Sequence, residues 1–99
     1  MIVQVTHTHS HETCPGAHTD RLSTFSQWWD GVKKNANLKV LGGYVSPIDH
    51  VFHVTLEADD YTTVVRAMGP LNSIGTGHIS GVITLDAAMP LAEEGVFRG

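Results

Sequence analysis

Alternation of apolar and polar residues predicts four β-strands in this chain. In the first, Val3 and Val5 alternate with polar residues, which is typical of a strand with one buried face. His7 and His9 continue that apolar side. The four predicted strands are residues 2–9, 38–45, 51–58 and 77–85.

Two segments between these strands carry apolar residues at helical spacing. The first extends from Thr19 or Asp20 to about residues 35–37, with Trp28 and Trp29 on its apolar side. The second follows the third strand, and a Gly-Pro pair at residues 69–70 is expected to kink it or end it early.

The order β-α-β-β-α-β predicts an α+β, ferredoxin-like fold. Right-handed crossovers then give a four-stranded antiparallel sheet, ordered 4-1-3-2, with two helices on one face. We expect this domain to occupy residues 1–88. Residues 89–99 show no clear period and are expected to form a C-terminal tail.

Charge and composition narrow the classes of partner. Six basic residues face ten acidic ones, for a net charge of −4, which argues against nucleic acid binding. No run of about eighteen apolar residues is present, so no membrane span is expected. Residues 1–6 look like a strand rather than a signal peptide, and the single Cys14 suits a reducing compartment. The expected location is the cytoplasm.

A sheet with helices on one face leaves its other face bare, and a second copy of the chain is a common cover. The element order, the junction at residues 57–60 (Glu-Ala-Asp-Asp) and the turn at residues 74–77 (Ile-Gly-Thr-Gly) resemble the dimeric α/β-barrel superfamily. It includes muconolactone isomerase and small cofactor-free monooxygenases of antibiotic pathways. The resemblance covers residues 1 to about 88 and implies a homodimer or higher homo-oligomer. It does not imply one chemistry, because superfamily members also include metal binders.

The chemistry of the chain is concentrated near its N-terminus. Residues 7–15 (His-Thr-His-Ser-His-Glu-Thr-Cys-Pro) offer three imidazoles, a carboxylate and a thiol. These are the ligand types that zinc, copper, nickel and iron prefer. His7 and His9 are two apart on a predicted strand, so their side chains project to the same side.

The predicted topology brings further histidines to the same end of the sheet. His7 and His9 close the first strand, His53 opens the third and His78 opens the fourth. The hypothesis is a transition-metal site, in a metal-binding protein or a metalloenzyme. Its candidate ligands are His7, His9, Cys14, His53 and His78. His50 also falls at this end but is interpreted as a turn residue.

Strand parity leaves an alternative open. It places His53 and His78 on the bare face, whereas His7 and His9 follow the apolar face, so one wrapped site or two separate sites are both consistent with the sequence. In the second case, the alternative function is a cofactor-free dimeric-barrel enzyme, of isomerase or monooxygenase type. His53 and His78 would then perform acid/base catalysis on a small organic molecule.

Overall fold

A computed structural model describes residues 1–99 as an α+β fold with one four-stranded antiparallel sheet, as predicted. The strands are β1 (Ile2–His9), β2 (Leu38–Ser46), β3 (Val51–Ala58) and β4 (Gly75–Val82). The helices are α1 (Thr19–Lys34), α2 (Tyr61–Met68) and α3 (Leu85–Glu93). Short 3-10 segments occur at Pro15–Ala17 and Gly69–Ser73. This arrangement is compatible with a ferredoxin-like fold.

The strand order is β2-β3-β1-β4, so β1 lies in the interior of the sheet. All three pairings are antiparallel. Thr6 of β1 lies between His53 of β3 and His78 of β4 in this register. A bulge between Val40 and Gly42 shifts the register of β2 against β3.

The core lies between one face of the sheet and the two helices α1 and α2. Alternate strand residues such as Val5, Val54 and Leu56 are buried there, together with Val32 of α1 and Val64 of α2. The indole N–H of Trp28 also donates to the carbonyl oxygen of Ala67 at 2.8 Å, which ties α1 to the end of α2. The residues that α1 and α2 bury belong to this core, and α3 buries none, so the opposite face has no helix packed on it. That face carries polar side chains of β1 and β3, such as Gln4, which accepts a hydrogen bond from Thr55.

The C-terminal segment differs from its prediction. β4 ends at Val82 rather than near residue 85, and Leu85–Glu93 forms α3, which includes the first residues of the predicted C-terminal tail. The Thr84 hydroxyl caps this helix by accepting from the N–H of Ala87 at 3.0 Å. The sequence did not predict this helix because Pro90 lies inside it, and proline is unfavourable in a helix interior. α3 buries none of its residues. None of the three helices combines the length and the apolar character that a membrane span requires.

Candidate metal centre

Three potential metal ligands converge where β1 ends. His9, Cys14 and His50 each offer a ligand atom, and these atoms all lie within 4.8 Å of one another. His9 is the last residue of β1, Cys14 lies in the loop that follows, and His50 ends the turn between β2 and β3. All three side chains are half-buried. We call these three residues the ligand cluster.

The backbone fixes two members of the cluster to each other. The N–H of His9 donates to the carbonyl oxygen of His50 at 3.0 Å, just beyond the last paired residues of β1 and β3. His50 has a φ of 56°, the only positive φ outside glycine. Few non-glycine residues adopt this left-handed conformation, and it occurs where surrounding structure or function requires it. Here it accompanies the reversal of the chain into β3.

Cys14 is held between two short turns. Its N–H donates to the carbonyl oxygen of His11 at 3.4 Å, and its carbonyl oxygen accepts from the N–H of Ala17 at 3.1 Å. Pro15 is buried and begins the 3-10 segment, so it anchors the loop beside the cysteine. The thiol is therefore presented by a folded loop rather than by a free chain.

The ligand cluster fits a transition metal in two respects. In a tetrahedral zinc site, bond lengths of about 2.0–2.3 Å place neighbouring ligand atoms roughly 3.3–3.6 Å apart, so small side-chain rotations would close the cluster around an ion. In addition, Nδ1 of His9 and Nδ1 of His50 are buried and have no hydrogen-bond partner. Buried polar atoms normally have one, and a metal or its bound ligand would supply it.

Electrostatics favour the neutral, ligand-competent form of His9. Burial lowers the pKa of His9 from its ordinary value, and the nearby positive charge that His7 and His50 would carry lowers it further. Metal binding requires an unprotonated imidazole nitrogen. His9 is therefore held in the form that a metal needs.

His7 lies beside the cluster but is engaged elsewhere. It is only 2% exposed and stacks on Phe52, with ring centroids 4.9 Å apart. Nε2 of His7 lies 3.1 Å from the carbonyl oxygen of Leu71, so this nitrogen is the N–H donor. Burial lowers the pKa of His7, although the hydrogen bond to Leu71 partly opposes this. A neutral His7 thus connects β1 to the segment that follows α2.

Gly75 is needed for this position of His7. A Cβ built there would lie 2.6 Å from Cε1 of His7 and would collide with the carbonyl oxygen of Thr8. Glycine therefore allows β4 to start close against the buried imidazole. This pattern is typical of a structural histidine.

The remaining predicted ligands, His53 and His78, lie on the opposite face of the sheet. Each is paired across from Thr6, whose hydroxyl shares a hydrogen bond of 3.3 Å with Nδ1 of His53. Since side chains alternate between faces along a strand, neither His53 nor His78 can join His9. The structure therefore brings His9 and Cys14 together and leaves His7, His53 and His78 outside the ligand cluster.

His50, which the sequence pattern indicates as a turn residue, is a member of the ligand cluster. Its ring lies 5.4 Å from that of His9 and 5.9 Å from that of His11, measured between centroids. His11 is in turn 6.4 Å from His18, so imidazoles continue outward from the cluster. The sequence could have indicated this role, because His50 directly precedes β3 and therefore lies opposite the end of β1.

An apolar cavity of about 300 Å³ opens beside the ligand cluster. His9, Cys14 and His50 form one part of its wall. The rest of the wall is contributed by Pro15, Gly16, Leu22, Phe25, Val45, Pro47 and Phe52. A metal bound to the three ligands would thus face this partly open cavity rather than a fourth protein ligand.

No protein-family model, curated protein or solved structure matches this chain. Function is therefore inferred from the ligand cluster and the cavity beside it.

Proposed function

We propose that this protein binds a transition metal ion through His9, Cys14 and His50, with a fourth position left open toward the cavity. The supporting observation is the approach of three ligand atoms to within 4.8 Å from three separate segments of the chain. Three protein ligands with one open position is the arrangement of catalytic zinc sites, whereas structural sites usually have four. A metalloenzyme therefore agrees better with the site than a purely structural role.

The donor set narrows the choice of metal. Imidazole suits zinc, copper, nickel and iron alike, but a thiolate ligand favours zinc and copper. Two histidines and one cysteine also occur together in copper electron-transfer sites. A ligating thiol must stay reduced, which is consistent with the cytoplasm as the location of the protein.

Metal content of protein purified without a histidine tag tests the proposal. We expect about one equivalent of zinc or copper after dialysis, and loss of that metal in Cys14→Ser. His18→Ala is the matched control, because it removes a nearby histidine outside the ligand cluster. A parent protein that binds no metal, or a Cys14→Ser variant that binds it as tightly as the parent, would contradict the proposal.

A second candidate function is supported by the opposite face of the sheet. Tyr44, His53, Thr6 and His78 form a row across all four strands, since each is paired with the next. Two hydroxyls and two imidazoles in a row are suited to proton transfer, as a cofactor-free isomerase or monooxygenase requires. In metal-free protein, a small organic substrate of this site would shift the imidazole NMR signals of His53 and His78. Shifts confined to His9 and His50 would count against it.

This second candidate requires a dimer of the barrel type, because the row lies on an uncovered face. The apolar side chains of Leu85, Met89 and Phe97 are also exposed, at 83%, 57% and 63%. Exposed apolar surface of this kind favours self-association. Sedimentation velocity at micromolar concentration should show a homodimer or larger homo-oligomer, and a monomer would contradict the barrel arrangement.

A further inference from the structure

A second apolar cavity lies next to the cavity beside the ligand cluster. The second has a volume of about 190 Å³ and lies between α1 and β2. Phe25, Val45 and Phe52 line both cavities, so the two adjoin. We call the pair the α1–β2 groove. It begins at the ligand cluster and extends along α1 to Trp28 and Trp29.

The walls of the groove carry no charged side chain. No lysine, arginine, aspartate or glutamate lines either cavity. The walls are mainly aromatic and aliphatic, with Phe25, Trp28 and Trp29 each half-buried along the helix side. The ligand cluster is thus the polar end of a groove that is otherwise apolar.

The net charge of the proposed metal site indicates which type of ligand atom a molecule bound in the groove would contribute. A divalent ion with one thiolate and two neutral imidazoles retains roughly one positive charge. With no acidic side chain in the groove to offset it, an anionic donor from the occupant is favoured over a neutral one. Because the three ligand residues line the groove, an open position of the bound metal would face it, and the donor and the apolar body could be parts of one molecule.

We infer that the α1–β2 groove binds a small apolar carboxylate, whose anionic head binds the metal and whose hydrocarbon or single-ring body lies along Phe25 and Trp28. This inference rests on the proposed metal site. The size is suitable, since an engineered cavity of about 150 Å³ binds benzene and each cavity here is larger. Burial of the body would contribute roughly 25 cal/mol for each Å² removed from water.

Three probes separate the contributions of head and body: 4-phenylbutyrate, the neutral 4-phenylbutanol, and acetate, which has the head alone. Both tryptophans of the chain line the groove, so their fluorescence reports occupancy. In zinc-loaded protein we expect 4-phenylbutyrate to bind at least about tenfold more tightly than either other probe. Removing zinc should abolish that preference. Equal binding of acid and alcohol, or of acetate and 4-phenylbutyrate, would overturn the inference.

A pair of variants locates the bound molecule. Val45→Phe fills the groove at a residue that is 63% exposed, so the fold should tolerate it. Ile48→Phe adds the same side chain at a position that lines neither cavity and is 89% exposed. We expect Val45→Phe alone to weaken 4-phenylbutyrate binding by at least about tenfold. Unchanged or tighter binding in Val45→Phe would overturn the inference.

Zinc stoichiometry measured on the same samples distinguishes the two proposals. If zinc binds at one equivalent but 4-phenylbutyrate shows no preference for the zinc-loaded protein, the assignment of the groove is wrong and the metal site stands. If zinc does not bind, the proposed function fails and the inference fails with it.

Discussion

The two faces of the sheet surround their histidines in different ways. On the helix side, His9 and His50 are half-buried beside Cys14, and an apolar cavity opens next to them. On the other side, His53 and His78 flank Thr6 on a face that no helix covers. Five histidines near one end of a sheet therefore do not make one site. Because side chains alternate between the two faces of a strand, only imidazoles on the same face can contribute to one site.

A second contrast lies within one face. His7 and His9 are two residues apart on β1, with ring centroids 5.9 Å apart. His7 is fully buried, and its ring donates to a carbonyl oxygen. Nδ1 is buried without a hydrogen-bond partner in both rings, but His9 also lies within 4.8 Å of the Cys14 thiol and the His50 imidazole, measured between ligand atoms. The Leu71 hydrogen bond of His7 and the neighbouring ligand atoms of His9, rather than the spacing, distinguish a structural histidine from a candidate ligand.

The largest expected effect is on metal affinity, which should depend on the histidines of one face of the sheet and not on those of the other. His9→Ala removes a ligand from the cluster and should lower metal affinity by more than about 100-fold, because even outer-shell changes cost about 10–100-fold. His53→Ala, on the opposite face, should leave affinity unchanged. Competition with a chromophoric chelator measures both. Equal losses in the two variants would mean that the faces do not differ in the way proposed.

The next largest effect is on the stability of the metal-free protein, and it tests the structural role of His7. His7→Ala should lower the free energy of unfolding of the metal-free protein by about 2–4 kcal/mol, since it leaves a cavity and an unpaired Leu71 carbonyl oxygen. His78→Ala, at an exposed position, should change it by less than about 0.5 kcal/mol. Urea denaturation provides the comparison. A loss at His7 no larger than at His78 would show that the buried hydrogen bond contributes little.

The stability of the metal-free protein should also fall as the pH drops below 6.5. Burial lowers the pKa of His7 below its ordinary value of 6.5, so the unfolded chain binds more protons than the folded chain in this range. The stabilisation is thus present above pH 6.5 and is lost as the pH falls through the lower, folded pKa. Urea denaturation at pH 7.5 and about 5.5 measures the slope, which His7→Ala should reduce. An unchanged slope in that variant would assign the effect to other groups.

The smallest expected effect on stability is at His50. His50→Gly keeps the left-handed turn and removes the imidazole, so stability of the metal-free protein should stay constant or rise by up to about 1 kcal/mol. Metal binding should nevertheless be lost. A clear fall in stability in the metal-free state would instead show that the imidazole supports the turn.

Much of the fold was predictable from local pattern. β1 and β3 have the predicted bounds, because alternation along a half-buried strand is a direct signal. α3 was not predictable in the same way, since it buries nothing and contains Pro90. The Thr84 cap stabilises its N-terminus, and a cap does not require a hydrophobic stripe.

The candidate site was predictable only in part. The residue types at the end of β1 indicated a metal, and His9 and Cys14 belong to the ligand cluster. The contribution of His50 depends on a φ of 56° and on a backbone hydrogen bond to His9, neither of which residue spacing shows. Likewise, the burial of His7 depends on its contacts with Leu71 and Gly75, which are distant in sequence.

X-ray absorption at the zinc edge tests the central claim most directly, on tag-free protein loaded with one equivalent of zinc. The account predicts one sulfur neighbour at about 2.3 Å and two imidazole nitrogens at about 2.0–2.1 Å, with the remaining position filled by a lighter atom. Any zinc that Cys14→Ser binds at excess zinc should have no sulfur neighbour. A parent spectrum with no sulfur, or with only loosely bound oxygen neighbours, would contradict the assignment of the ligand cluster.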